Sequence, residues 1–339
     1  MRKIGLIILS WLFWGVSYYL SYPFISIYAV QFIPSRYVSL VYVFFTLSAI
    51  PMPLLGAKVS RKLGVVKTVW LGMFLSGFGY LVVSLAKDFS EMVIGFMVSY
   101  TTFLSLPNFY SYMSSCGKGT ISRVWGISIL PSLFTPSIAG VLGSYIGLKY
   151  VFLLAGVFNW ASSLPVLFLD EKPVLRGKMS MSKAITIPVL VVFPIALVFP
   201  YVFLEIKTIY RLSDVYIGVF ATSAEAVGMV LTLLSSYVKR TLLSVYLFLF
   251  SLIPLIYISP VFSIFFGSWE AIIPSSLENL TDNSPETYAV INSLQQVGWL
   301  IGFIVSAISF SPLISILISS AFSLALSILL FFTRGRLLV

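Results

Sequence analysis

The sequence predicts an all-α membrane protein with twelve transmembrane helices in two pseudo-symmetric six-helix bundles. Three observations predict this fold class. The 339 residues are 59% apolar and only 9% charged, with a mean hydropathy of +1.03. The apolar residues form long runs, and the two halves of the chain look like weak copies of each other. Because an average soluble domain carries roughly 25% charged residues, lipid must be the solvent for most of this chain.

The individual spans follow from the lengths of the apolar runs. A helix needs about 20 apolar residues to cross a bilayer, where its backbone must satisfy its own hydrogen bonds. The first run is too long for a signal-peptide core, so we expect it to be retained. The predicted spans cover residues 4–30, 37–56, 68–86, 92–113, 124–146, 150–169, 184–206, 215–235, 241–258, 261–277, 287–308 and 312–332.

The polar segment 170–183 divides the chain nearly in half. It predicts an N-terminal bundle over residues 1–169, a cytoplasmic linker over 170–183 and a C-terminal bundle over 184–339. Short sequence similarities support a duplicated unit, a common arrangement in secondary transporters. "YPFISIY" at 22–28 parallels "FPYVFLEI" at 199–206, and Pro107 in the fourth span corresponds to Pro274 in the tenth.

The basic residues predict the orientation of the chain. If both termini are cytoplasmic, 16 of the 21 Lys and Arg residues fall on the cytoplasmic side, as the positive-inside rule requires. The net charge of +10 is thereby explained, and we expect a lipid bilayer and no nucleic acid as partner. The five basic residues on the opposite side are Arg36, Lys87, Lys149, Lys207 and Arg211.

We expect a monomeric, multi-pass protein of the cell membrane.

The composition also excludes several kinds of chemistry. The chain has no histidine, which excludes histidine metal ligands and histidine proton relays, and its one cysteine, Cys116, cannot form an intramolecular disulfide. No Gly-x-x-x-x-Gly-Lys-Ser/Thr loop is present. We therefore expect no metal, no cofactor and no enzymatic activity, and any transport must draw on an ion or solute gradient.

The segment between the second and third predicted spans carries the first sign of a known family. It reads Ala57-Lys58-Val59-Ser60-Arg61-Lys62-Leu63-Gly64-Val65-Val66-Lys67. It resembles the Gly-x-Leu-Ala-Asp-Arg-x-Gly-Arg-Lys signature of the major facilitator superfamily. The small residue, one basic residue and the turn glycine are kept, whereas Arg61 occupies the position of the family's Asp. The matching positions are Ala57, Arg61, Lys62, Gly64 and Lys67.

The fifth and sixth spans strengthen the resemblance, which covers essentially the whole chain. Residues 135–173 are similar to the family's Gly-Pro-x-x-Gly-Gly helix, its Gly-x-basic-aromatic turn and its acidic-Pro exit. Thr135 and Ala139 replace two glycines of that helix, while Pro136 and Gly140 match. With Pro136, the fifth-helix motif resembles that of the antiporter branch of the family. Small residues in such a motif also let any pair of helices pack closely.

The resemblance implies a fold and a mode of action. Spans 1, 4, 7 and 10 would line a central cavity, spans 2, 5, 8 and 11 would form gates, and spans 3, 6, 9 and 12 would face lipid. Pro23, Pro107, Pro200 and Pro274 lie in the four cavity spans, where each removes a backbone hydrogen bond and can kink its helix. The expected activity is alternating-access transport of a small-molecule substrate.

Three acids do not fall clearly in loops. Glu225 lies within the eighth span, Glu270 near the middle of the tenth, and Glu205 near the outer end of the seventh, two residues before Lys207. Carboxyl groups inside a membrane are costly and are candidates for proton coupling or for binding a cationic substrate. Each acid could instead fix helix packing, and Glu205 could reach lipid headgroups or pair with Lys207.

The polar and aromatic cavity candidates are Tyr18, Tyr22, Asn108, Asn292 and Gln295. Tyr18 and Tyr22 belong to an aromatic face of the first span, and Asn292 and Gln295 share one helix face in the eleventh. They fit substrate contacts, but packing, interface anchoring or a polar clamp between helices would explain them as well.

Taken together, these features predict a secondary transporter of a small organic solute, coupled to protons and favouring efflux by antiport. The alternatives are a proton-coupled importer of a sugar or other neutral solute, and a non-transporting sensor or scaffold with the same fold. No Lys or Arg falls within a predicted span, which argues against organic acids. With Arg61 at the family's Asp position, closure on the cytoplasmic side should use other contacts, or a contact with the charges swapped.

Overall fold

The computed structural model describes residues 2–117, 120–171, 186–237, 242–277 and 284–333. Every regular element in these ranges is a helix. Ten of the helices are long and apolar enough to cross a bilayer. The chain is therefore a multi-pass integral membrane protein, as the composition predicts.

The ten long helices coincide with predicted spans 1–8, 11 and 12, whose numbers we keep. The region of spans 9 and 10 holds shorter pieces: the apolar helix Leu243–Tyr257, then the 3-10 helix Pro260–Ser268 and the α-helix Trp269–Leu277. The count of twelve and the orientation of the termini stay predictions. The ten helices are Ile4–Ala29, Ser35–Leu63, Val65–Leu85, Phe89–Ser114, Arg123–Ile146, Leu148–Phe168, Pro188–Tyr210, Asp214–Ser235, Pro285–Ser309 and Pro312–Phe332.

Local chemistry explains where several helices begin and end. Gly64 and Gly147 have φ angles of 88° and 98°, so each makes a sharp turn between consecutive helices that a residue with a Cβ would strain. The Asp88 and Ser284 side chains accept hydrogen bonds from backbone N–H groups at the starts of the fourth and eleventh spans.

Prolines interrupt the helices that the resemblance assigns to the cavity. The first span tightens into a 3-10 turn at Tyr22–Phe24, around Pro23, and the seventh breaks at Pro200 before helix Val202–Tyr210. Regular α-helix is thus interrupted at both prolines. Pro107 instead lies at the start of a helix that follows a 3-10 segment, and Pro274 lies inside helix Trp269–Leu277.

The two halves of the chain meet along the predicted gate spans. Spans 2 and 11 are joined by the Ser39 and Ser306 hydroxyl groups, 2.8 Å apart, and spans 5 and 8 by Ser137 and Thr222, 2.9 Å apart. A Cβ on Gly140 in the fifth span would overlap the backbone of Asp214 at the start of the eighth. These gate spans therefore pack directly on each other.

The third span departs from the expected arrangement. Ser76 and Tyr80 line the central cavity, so the prediction that this span faces lipid is wrong at these positions. The third span also packs closely on the fourth. A Cβ on Gly72 would meet Ser105, and one on Gly79 would overlap Gly95 and Ser99, so the two helices approach to backbone contact.

Most of the predicted linker lies outside the described residues, which include only Asp170 and Glu171 of it. The Glu171 carboxylate accepts a hydrogen bond of 3.2 Å from the backbone N–H of Val66, in the first turn of the third span. The acidic exit of the sixth span thus stabilises the start of the third, where the helix dipole favours negative charge.

Candidate substrate cavity

A cavity of about 160 Å³ lies between the two halves. All four spans that the resemblance assigns to it contribute to its walls, together with side chains from spans 2, 3, 5 and 11. Among the described lining residues, none is Lys, Arg, Asp or Glu. Its aromatic lining includes the rings of Trp14, Tyr18, Tyr22, Trp125, Phe199, Trp269 and Trp299.

The first span presents a stack of three rings. Residues four apart lie on one face of a helix, which aligns Trp14, Tyr18 and Tyr22. The ring centroids of Trp14 and Tyr18 are 5.4 Å apart, and those of Tyr18 and Tyr22 are 5.0 Å apart, with interplanar angles of 15° and 14°. Both predicted tyrosine candidates therefore line the cavity.

Glu225 lies immediately behind this wall. Its side chain is fully buried, and the Tyr22 hydroxyl group donates a hydrogen bond to Glu225 Oε1. The same carboxyl group also interacts with the Trp269 indole and with the Glu270 carboxyl group. A carboxyl group of the second half is thus held by a donor of the first half.

Glu270 repeats this arrangement with two donors. The Tyr19 hydroxyl group donates to Oε1 at 2.8 Å, and the Trp125 indole N–H donates to Oε2 at 3.0 Å. Tyr19 lies in the first span and Trp125 in the fifth, whereas Glu270 lies in the tenth. Both predicted membrane acids therefore bridge the two halves.

Two glycines bring the acids close to each other. A Cβ on Gly228 would contact Glu270, and a Cβ on Gly267 would overlap the carbonyl group of Ala224, beside Glu225. Gly228 lies three residues after Glu225, and Gly267 three residues before Glu270. The eighth and tenth spans therefore pack backbone to backbone next to the two carboxyl groups.

The eleventh span supplies amide groups on another wall. Asn292, Gln295 and Gln296 all line the cavity. Gln295 Nε2 donates a hydrogen bond of 3.4 Å to the carbonyl group of Pro188, while the buried Asn292 Oδ1 has no partner among the described residues. Asn292 therefore has a hydrogen-bond acceptor without a partner at the cavity wall.

Two sequence candidates lie away from the cavity walls. Asn108 Nδ2 donates to the carbonyl groups of Gly56 and Leu104 at 3.3 and 3.2 Å, which ties the fourth span to the second. Glu205 accepts a hydrogen bond of 3.1 Å from Tyr257. Lys207 pairs with Asp214 at 2.5 Å rather than with Glu205. These contacts fit the packing interpretation of both residues.

The signature segment lies at the predicted cytoplasmic side. Arg61 forms an ion pair of 2.9 Å with Glu286 at the start of the eleventh span, so the contact with swapped charges is present. Ala57 is buried, whereas Lys62 and Lys67 are exposed. In the fifth-helix motif, Thr135, Pro136, Ala139 and Gly140 are all buried.

Solved structures with the same arrangement of helices identify the fold. The human organic anion transporter MFSD10 (TETRAN) matches with a TM-score of 0.73 and 14% identity, over 100% of this chain and 99% of that one. The chain has the fold of major facilitator superfamily transporters. At this identity the similarity establishes the fold alone.

Two peptide transporters of the POT family share this major facilitator fold. An auto-inhibited POT family peptide transporter matches with a TM-score of 0.76 and 12% identity, over 99% of this chain and 97% of that one. The POT family transporter PepTSo matches with a TM-score of 0.72 and 12% identity, over 99% and 98%. No family model and no curated protein sequence matches the chain.

Sequence reasoning missed the donors that hold the acids in this major facilitator fold. Tyr19, Trp125 and Trp269 were not among the candidates, although Trp269 adjoins Glu270 and Tyr19 lies three residues before Tyr22. A search for Tyr and Trp residues in the cavity spans at the depth of the two acids would have included Tyr19 and Trp269. Trp125 lies in a predicted gate span and carried no such signal.

Proposed function

We propose that this chain is a secondary transporter that moves a small organic solute across the cell membrane by alternating access, coupled to protons and favouring efflux. One observation carries the proposal. Glu225 and Glu270, buried in the second half, receive their hydrogen bonds from Tyr22, Tyr19 and Trp125 of the first half, at the wall of the cavity.

This arrangement links proton binding to the relative position of the halves. A hydrogen-bond donor favours the charged form of a carboxyl group, whereas burial without one favours the neutral form. When the halves rock apart at this level, Glu270 loses the donors Tyr19 and Trp125, and Glu225 loses Tyr22. Loss of these donors favours protonation, so each transport cycle can load and release a proton.

The comparisons support the class of function. Proteins described as an organic anion transporter and as peptide transporters have this fold over nearly their whole length. The buried Pro136 in the fifth-helix motif and the aromatic walls favour the efflux direction.

Counterflow in proteoliposomes tests the proposal. Vesicles holding the purified protein are loaded with unlabelled solute and diluted into a trace of the labelled form. The panel contains phenylacetate, dialanine, glucose and phenyltrimethylammonium. We expect transient accumulation of at least one labelled solute. Exchange needs no net proton movement, so Glu270→Gln, which keeps the Glu225 carboxyl group, should retain it.

The same assay distinguishes the alternatives. Accumulation of glucose alone would favour an importer of neutral solutes. The uncharged walls of the cavity and the amides of Asn292 and Gln295 also fit a neutral solute. Absence of counterflow for the whole panel would overturn the transport proposal and favour a sensor or scaffold.

A further inference from the structure

The cavity has the electrostatic character of a site for positive charge. Its described lining residues include no Lys or Arg, and the carboxyl groups of Glu225 and Glu270 lie directly behind its aromatic wall. An anion in this space would meet aromatic rings and two acids without a cationic partner. A cation would meet both kinds of group favourably.

Several rings around the cavity meet at steep angles. Phe199 lies at 87° to Trp269 and at 88° to Trp299, with centroid distances of 5.8 and 5.6 Å. A solute between such rings contacts ring faces as well as ring edges. Ring faces carry negative charge density and attract cations that come within about 6 Å.

One unpartnered polar atom indicates what else the occupant should carry. Asn292 Oδ1 is a buried acceptor without a hydrogen-bond partner among the described residues. Buried polar groups left unpaired are costly, so a ligand that pairs with this oxygen gains affinity. A hydroxyl group can donate to it.

The cavity has room for at least one ring. An apolar cavity of about 150 Å³ takes up benzene, and this one measures about 160 Å³. A ring with a small cationic head group and a hydroxyl group is therefore of suitable size.

We propose that the cavity binds a small organic monocation, with the positive charge next to the Tyr22 and Trp269 wall and a hydroxyl group next to Asn292. The proposal deepens the transport function and rests on it for its physiological meaning. Binding itself needs no transport and can be tested separately.

Three probes of nearly equal shape test the charge preference. They are meta-hydroxyphenyltrimethylammonium, its uncharged carbon analogue meta-tert-butylphenol, and the anion meta-hydroxybenzenesulfonate. Binding to the purified protein in detergent is measured by tryptophan fluorescence and by the shift of the unfolding temperature. We expect the cation to bind at least about tenfold more tightly than either other probe. We also expect Glu225→Gln to remove most of this preference, and Glu205→Gln, which lies outside the cavity, to keep it.

Each outcome decides the proposal. Equal affinity for the cation and its uncharged analogue would overturn it, as would tighter binding of the sulfonate or no binding of any probe. The comparison uses the native protein, so a variant that fails to fold does not remove the test. Cation binding without counterflow of the same cation would support the proposal and contradict the transport function. Counterflow of dialanine or phenylacetate without cation binding would contradict the proposal and support the transport function.

Discussion

Arg61 and Glu286 form an ion pair that joins the two halves of the chain at the predicted cytoplasmic side. The guanidinium Nη2 and Nε atoms lie 2.9 and 3.2 Å from the same carboxylate oxygen. The Arg61 side chain is 59% exposed and that of Glu286 only 9% exposed. Arg61, at the position of the family's Asp, thus forms an ion pair with an acid at the start of the eleventh span. This is the contact with swapped charges that was one of the two expectations from the sequence.

Breaking this ion pair should open the predicted cytoplasmic side. Exposed ion pairs contribute about 0.2–1 kcal/mol, so Arg61→Ala should raise the population open on that side by up to about fivefold. The readout is the alkylation rate of a single cysteine at Ile273, a cavity position, in a Cys116→Ser background and in unsealed membranes.

The charge-reversal pair controls for local damage. Glu286→Arg alone should also accelerate alkylation, whereas Arg61→Glu combined with Glu286→Arg should return it toward the native rate. Additive acceleration in the double variant would show that the ion pair does not hold the halves together.

Removal of the Tyr22 hydroxyl group should change the pH dependence of transport. Tyr22→Phe keeps the ring stack but takes away the donor to Glu225. A carboxylate that loses a donor is less stable in its charged form, so the pH of half-maximal proton-driven flux should rise. Tyr18→Phe keeps the Tyr22 donor and is the control. Identical pH profiles for the two variants would contradict the role of Tyr22.

The close contact of the eighth and tenth spans should not tolerate a methyl group. Gly267→Ala places a Cβ against the carbonyl group of Ala224, and such overpacking costs about 1–3 kcal/mol. We expect a lower unfolding temperature in detergent and loss of cation binding. Gly5→Ala, where a Cβ meets nothing within 4 Å, should leave both unchanged. An unaltered unfolding temperature for Gly267→Ala would show that the eighth and tenth spans are farther apart than in the structure.

Asn292 should recognise the hydroxyl group of the solute. Asn292→Ala removes the unpartnered Oδ1 acceptor and should weaken binding of meta-hydroxyphenyltrimethylammonium by about fivefold, because one hydrogen bond contributes about 1 kcal/mol. Binding of phenyltrimethylammonium, which lacks the hydroxyl group, should change little. Equal losses of affinity for both cations would show that the hydroxyl group does not bind Asn292.

The sequence predicted the features that depend on local composition. Span positions follow from the lengths of apolar runs, and Glu225 and Glu270 were identifiable because charges inside a membrane are rare. Their donors were not, because Tyr19 and Trp125 are two of many aromatic residues in a chain with 29 Phe, 19 Tyr and 7 Trp. Which of these rings reaches an acid depends on how each helix is rotated.

Helix packing also explains the remaining differences. The third span packs closely on the fourth at the glycines at 72 and 79, and its Ser76 lines the cavity, which a periodicity argument does not reveal. The tenth span begins as the 3-10 helix Pro260–Ser268, which is less regular than its apolar composition predicts. Asn108 donates a hydrogen bond to a backbone carbonyl group of the neighbouring second span. The sequence alone does not distinguish this packing contact from a role in the cavity.

The central claim is that Glu225 and Glu270 couple solute movement to protons. Its most direct test records the internal pH of sealed proteoliposomes with a trapped dye, while a gradient of the solute that shows counterflow is imposed. The account predicts proton movement opposite to the solute in the native protein and in Glu205→Gln. Proton movement should be strongly reduced in Glu270→Gln, which keeps the Glu225 carboxyl group for solute binding, although counterflow persists. Proton movement of native size in Glu270→Gln would contradict the account.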